Sequence, residues 1–158
     1  MILIAYDGSP DAQTAIQRAG ELLKDETATI LVVWERFIDV VTRAGAGLPV
    51  GELDYEALDR AYEGEARQRV EEGARLAERA GLKPRPRVRV REDTVARTVL
   101  AEADEIHAAA ILLGTRGLTG LKSLLLGSVS HAVVQHAHIP VIVVPSPETA
   151  AERAARRG

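Results

Sequence analysis

The chain has 158 residues, a formal net charge of −3 and no cysteine. Its length fits one domain that buries roughly 70% of the surface its unfolded form exposes, and the missing cysteine excludes a disulfide framework, a thiol nucleophile and a cysteine metal site. One Trp, one Phe and three Tyr are too few for an aromatic platform that stacks bases, and the negative balance disfavours nucleic acid and anionic membrane as partners.

The chain opens with an apolar strand, Met1 to Tyr6, followed by Asp7, Gly8, Ser9 and Pro10. Ser9 reads as a helix N-cap with Pro10 at the first helical position, where its missing N–H is harmless. Ala12, Ala15, Ile16, Ala19, Leu22 and Leu23 then recur at helical spacing and predict one buried face.

"TATILVVWERF" predicts a second strand ending near Trp34, continuously apolar as a strand covered on both faces should be. From Ile38 to Asp54 the mixed composition with Gly45, Gly47, Pro49 and Gly51 predicts a mobile loop or insertion. A long charged helix follows, about Tyr55 to Ala80, closed by Gly81. "RPRVRVRED" alternates Arg and Val, the period of a strand with one exposed side, and suits a sheet edge.

Asp93 or Thr94 can cap the next helix, whose buried stripe is Val95, Val99, Leu100, Ala103 and Ile106. "AAAILLG" gives a strand, "SVSHAVVQHA" a helix started by Ser128, and "PVIVVP" a fifth strand. The domain is expected to span residues 1–147, with 148–158 as a polar tail, a frayed helix or disordered. No run approaches the ~20 residues of a membrane span, and with no hydrophobic leader a soluble cytoplasmic protein is expected.

Alternating strands and helices predict an α/β fold, a parallel sheet between helices joined by right-handed crossovers. Ligands of such sheets lie at the carboxyl ends of the strands, where the strand order reverses. With five strands in order 3-2-1-4-5, that point falls between strands one and four. Topology alone thus brings Tyr6-Asp7-Gly8 to Gly114-Thr115-Arg116-Gly117.

Glycines admit positive φ and let an anion approach backbone N–H groups. Arg116 adds a cation, and Gly127-Ser128 opens a helix whose first N–H groups and dipole favour negative charge. Asp7 can accept hydrogen bonds from a ribose. Leu118, Leu121, Leu124 and Leu125 are expected to pack the intervening loop as a helical turn, with Gly120 as a turn residue. The run "GLTGLKS" lacks the contiguous Gly-Lys-Ser/Thr of a Walker A loop.

The pattern G114-x2-G117-x9-G127-S128 resembles the G-x2-G-x9-G-(S/T) signature of the nucleotide-binding branch of the universal stress protein family. "AYDGS", "GSVSHAVVQHA" and "IPVIVVP" are similar to that family too, so the likeness covers about residues 1 to 145. It implies a three-layer α/β/α sandwich with a five-stranded parallel sheet, order 3-2-1-4-5, and binding of ATP or AMP. By matching positions, Ala5, Tyr6 and Asp7 would lie along adenine and ribose, with Val33 touching adenine. Leu113, Gly114, Arg116 and Gly117 would line ribose and phosphates. Gly127, Ser128, Val129 and Ser130 would present backbone and hydroxyl donors to phosphate. The resemblance also implies a homodimer through the last strand, Pro140 to Pro145.

No convincing general base accompanies these residues, since His107, His131, His136 and His138 read as surface or interface residues, and no metal site is expected beyond Mg²⁺ held through phosphates. The expected role is a nucleotide-dependent stress-response or signalling module with little intrinsic hydrolysis, read by a downstream protein partner. The competing readings are a slow metal- or partner-dependent ATPase or phosphotransferase, and a structural dimer module that binds nothing.

Overall fold

In the computed structural model, which describes residues 1–45, 54–117 and 126–155, strands and helices alternate along most of the chain. Strand β1 (Ile2–Ala5) leads to helix α1 (Pro10–Leu22), then β2 (Thr27–Trp34), α2 (Phe37–Arg43) and α3 (Tyr55–Arg79). The second half runs β3 (Lys83–Val90), α4 (Val95–Glu105), β4 (Ile111–Gly114), α5 (Ser128–His136), β5 (Val141–Val144) and α6 (Pro147–Ala155). The strands form one sheet in the order β3-β2-β1-β4-β5, every neighbouring pair parallel, as the sequence predicts.

The inner strands β1, β2 and β4 are apolar on both sides because both sides are covered. Ile2, Ile4, Ala28, Ile30 and Val32 pack with Ala12, Ile16 and Ala19 of α1 and Ala66, Val70 and Ala77 of α3. The alternate side chains, among them Leu3, Leu31, Ile111 and Leu113, pack with Ala96, Val99 and Ala103 of α4 and Val133 of α5. Each fully buried Leu or Ile contributes roughly 1.5–3 kcal/mol over an exposed one. The small alanines let the helices lie close on the sheet.

Local signals set the helix starts. Ser9 accepts from the N–H of Ala12 at 3.2 Å with Pro10 as first helical residue, and Thr94, not Asp93, caps α4 by accepting from Arg97 N at 3.1 Å. Asp93 pairs with the Arg97 guanidinium instead. The α1 face departs from its prediction at one end: Leu22 is 64% exposed, whereas Asp11 in the first turn is buried. Leu23, the residue after Leu22, packs against the core in its place.

Three further segments differ from their sequence reading. The segment read as a loop from Ile38 begins inside α2, which is followed by residues 46–53 outside the described set. Phe37 accounts for the helix: its ring packs 6.1 Å from that of Tyr55 and 6.2 Å from that of Tyr62, and its N–H donates to Asp59 of α3. The arginine side of β3 is not merely solvated, because Arg87 and Arg89 both reach Glu102 and Glu105 of α4, and Glu102 is buried. A buried carboxylate without such partners would be costly. Of the two readings of the tail, a helix is the one observed: Pro147–Ala155 form α6, and it is anchored rather than frayed at its start. Its start is fixed by Ser146, whose hydroxyl accepts from Thr149 N at 3.2 Å, and Thr149 is buried.

Candidate nucleotide-binding cleft

Strands β1 and β4 run side by side, with Leu3 opposite Ile111 and Ile4 opposite Leu112, so their exits share one end of the sheet. The contact is intimate. A Cβ on Gly117 would lie 2.7 Å from Asp7 Oδ2, and one on Gly114 would lie 2.6 Å from Asp11 Cβ. At Gly114 the clash includes the backbone of Asp11 and Ala12, so that position excludes a side chain, whereas at Gly117 a side chain would displace the Asp7 carboxylate.

This corrects the reason given for the glycines. Gly114, Gly117 and Gly127 do not have positive φ; at Gly114 the missing side chain lets the first turn of α1 press on the strand exit, and at Gly117 it lets two loops close. Leu118, Gly120, Leu121, Leu124 and Leu125 lie outside the described residues, so the expected helical turn does too.

Below the crossover, Asp11 gathers the exits. Its carboxylate accepts from Thr115 Oγ1, from Arg116 N at 3.1 Å and from Thr149 Oγ1 at 3.4 Å. Burial alone would raise its pKa, but hydrogen bonds from Thr115, Ser146 and Arg116 N outweigh burial and hold the carboxyl below its ordinary value. An ionised Asp11 thereby ties α1 to the ends of β4 and β5.

The residues expected on the phosphate side line one cleft, and several of them have partners within the protein. Gly127, not Ser128, is the N-cap of α5, and its N–H donates to Thr115 O at 2.7 Å. Ser130 is buried and its hydroxyl donates to Gly114 O at 2.7 Å, so the hydroxyl holds the loop rather than facing a ligand. The N–H groups of Ser128, Val129 and Ser130 occupy the first turn of α5, where no intrahelical acceptor exists. Arg116 donates through Nη1 to Glu152 of α6 at 3.1 Å and is 14% exposed. Asp7 accepts from Ser9 N at 2.9 Å, which closes the turn after β1.

These residues surround a cleft of about 340 Å³, a size suited to a small ligand. Ala5, Tyr6, Asp7, Val33, Leu113, Gly114, Arg116, Gly117, Gly127, Ser128, Val129 and Ser130 all line it. Tyr6 does so in a restricted way, since its side chain is buried among the α1 and α3 residues and its hydroxyl donates to Glu72. Ala5 and Val33 belong to the face that packs on α4 and α5. One half of the cleft is therefore apolar, and the other combines Asp7, Arg116 and a helix N-terminus.

Sequence reasoning missed Ser9, Ala12, Leu31, Glu35, Val95 and Val99, which also line the cleft. Period-two spacing from Val33 was enough to find Leu31 and Glu35. Val95 and Val99 read as core because the same apolar stripe that packs α4 on the sheet forms the cleft wall. A larger depression of about 550 Å³ beside Arg89, Arg97, Glu102 and Glu105 is walled by ion pairs.

His107, His131, His136 and His138 are exposed, and none lines the cleft. Among the described residues, no group of three His, Asp or Glu side chains is arranged to hold a metal ion, and no helix is long and apolar enough to cross a membrane.

Comparison with known proteins agrees with this geometry. The family model described as the universal stress protein family matches residues 1–145. Universal stress protein MJ0531 of Methanocaldococcus jannaschii is 31% identical over 147 residues, which cover 93% of this chain and 82% of that protein. The structure of MJ0577, solved as a test case for assigning biochemical function from structure, has a TM-score of 0.73 at 26% identity, covering 91% of this chain and 94% of that one. A universal stress protein from Archaeoglobus fulgidus in complex with dAMP shares the fold at 20% identity, with a TM-score of 0.56 and coverage of 90% and 95%.

Proposed function

The chain belongs to the universal stress protein family, and from that premise we propose that it binds an adenine nucleotide, ATP or AMP, in the cleft at the ends of β1 and β4. The observation that carries the reading is the division of one cleft into an apolar half and an anion-seeking half. Ala5, Val33 and Leu113 suit a flat base, while Asp7 suits ribose hydroxyls. Gly114, Arg116 and Gly117 take the span between ribose and phosphates, and the first turn of α5, Gly127 to Ser130, receives the phosphates through backbone N–H groups. That the Archaeoglobus fulgidus protein was solved with dAMP is consistent with a purine nucleotide in this fold.

Any Mg²⁺ would be held chiefly through the phosphates, because the cleft's own carboxylates, Asp7 and Glu35, do not form a ligand cluster. The reaction side of the proposal is modest. The histidines lie outside the cleft, and its carboxylates are engaged, Asp7 with Ser9 N and Glu35 with Arg91 and Arg43, so the described residues suit binding and orienting a nucleotide rather than activating water. We therefore read the protein as a nucleotide-dependent stress-response or signalling module, dimeric through β5, with little intrinsic hydrolysis.

Amide NMR of the labelled protein during ATP titration tests this reading. The N–H signals of Arg116, Gly117, Ser128 and Val129 are expected to shift most, with the ATP ³¹P signals unchanged in area over the titration. Shifts confined to another face, or rapid loss of the γ-phosphate signal, contradict it.

A further inference from the structure

We propose that helix α6 is a positioning element for the nucleotide cleft, so that docking of α6 and binding of nucleotide stabilise one another, an inference that rests on the nucleotide reading above. α6 (Pro147–Ala155) lies beyond residues 1–145, the span matched to the family. Two of its side chains nevertheless reach the segment that leaves β4, and that segment supplies Gly114, Arg116 and Gly117 to the cleft wall.

The two routes are separate. In the first, Thr149 donates through Oγ1 to Asp11 Oδ1 at 3.4 Å, and the other oxygen of that carboxylate accepts from Thr115 Oγ1 and from Arg116 N at 3.1 Å. In the second, Glu152 accepts from Arg116 Nη1 at 3.1 Å. Ser9 completes the hold by donating to Arg116 O at 3.3 Å. Arg116 is thus fixed at its N–H, its carbonyl and its guanidinium. Asp11, Thr149 and Glu152 do not line the cleft, so they brace the wall from behind and do not occupy the space a ligand takes.

Burial makes the first route exacting. Asp11, Thr115 and Thr149 are all buried, and a buried polar group that loses its partner is costly. Undocking α6 takes Thr149 from Asp11 and Glu152 from Arg116 together. The helix itself is lightly held, since Thr149 is its one buried residue among those described, and local openings of such elements are low in free energy. An element with two arrangements, one of which braces the wall, is what coupling to a bound ligand requires. A nucleotide that needs Arg116 and Gly117 in place binds the docked form better, and by linkage it holds α6 down by the same factor.

Hydrogen exchange of the α6 amides from Ala150 onward, with and without saturating ATP, tests this together with ATP affinity. The amides to follow are those that exchange faster than the amides of β1, so that local undocking is what is read. ATP is expected to slow them about fivefold or more, the lower end of typical coupling. In Glu152→Ala the slowing is expected to shrink towards none and the ATP affinity to fall severalfold. Glu148→Ala removes the same charge from an exposed position of the same helix and is expected to change neither. α6 amides that exchange at the same rate or faster with ATP bound, or a folded Glu152→Ala that matches Glu148→Ala in both measurements, overturn the coupling while leaving the nucleotide site standing. A wild-type chain that binds no ATP overturns both.

Discussion

Tyr6 and Asp7 are adjacent in sequence and serve opposite faces of the sheet. The Tyr6 ring lies with the α1 and α3 core, 3% exposed, and its hydroxyl donates to Glu72 at 3.1 Å. Burial first, and the neighbouring Glu72 carboxylate second, push its pKa up to about 12 from 10.0. Below pH 10 both folded and unfolded states keep the phenol proton, so the full stability is present. As pH rises from 10 towards 12 the unfolded phenol ionises first, and stability falls by up to roughly 2–3 kcal/mol. Denaturant unfolding of wild type and Tyr6→Phe across this range is expected to show the wild-type advantage shrinking as pH rises; parallel curves contradict the assignment. At this scale, the sequence shows where side chains are excluded more clearly than what excludes them. Gly114 and Gly117 stand out by spacing, but their neighbours, Asp11 and Asp7, are more than 100 residues away in the chain and become visible only after folding.

Among the elements, the two sheet edges are unlike. β3 carries Pro84 and Pro86, which lack the N–H that strand addition needs, together with arginines engaged by α4. β5 carries "VIVV", with Val141, Ile142 and Val143 only partly buried, and among the described residues no strand pairs with its outer edge. This asymmetry supports dimerisation through β5. Light scattering of Val141→Glu is expected to show a monomer where wild type is a dimer, with far-UV circular dichroism preserved; a monomeric wild type, or a dimer that survives the charge, contradicts the interface.

Element starts were partly legible. Ser146-Pro147-Glu148 repeats the Ser9-Pro10-Asp11 start of α1, a cap followed by Pro at the first helical position, so α6 could be read from the same signal. Its alanine- and charge-rich composition resembles a tail because the packing that holds it, Thr149 on Asp11 and Glu152 on Arg116, involves few residues far away in sequence. α2 escaped for a similar reason: it has no buried residues, and so no amphipathic stripe announces it.

For the molecule as a whole, alternation of strand and helix was sufficient to give a parallel sheet, while its order, 3-2-1-4-5, was legible through the family resemblance, and that order places the exits of β1 and β4 together. The anion half of the cleft was legible because it is built from backbone and glycine, which leave a spacing pattern. The base half was harder, because Val95, Val99 and Leu31 serve core and cleft with the same apolar surface. Nor does sequence reveal that Arg116 is held by Glu152, which ties the C-terminal helix α6 to a residue of the cleft wall.

The central claim is that this cleft holds an adenine nucleotide, and thermal unfolding with and without ATP tests it most directly when wild type is compared with Gly117→Val. The valine would drive a side chain into Asp7, since even a Cβ there lies 2.7 Å from Oδ2. At 100 times its dissociation constant, ATP is expected to stabilise the wild-type chain by ~2.7 kcal/mol and to leave folded Gly117→Val unchanged. No stabilisation of wild type, or the same gain in both proteins, would contradict the account.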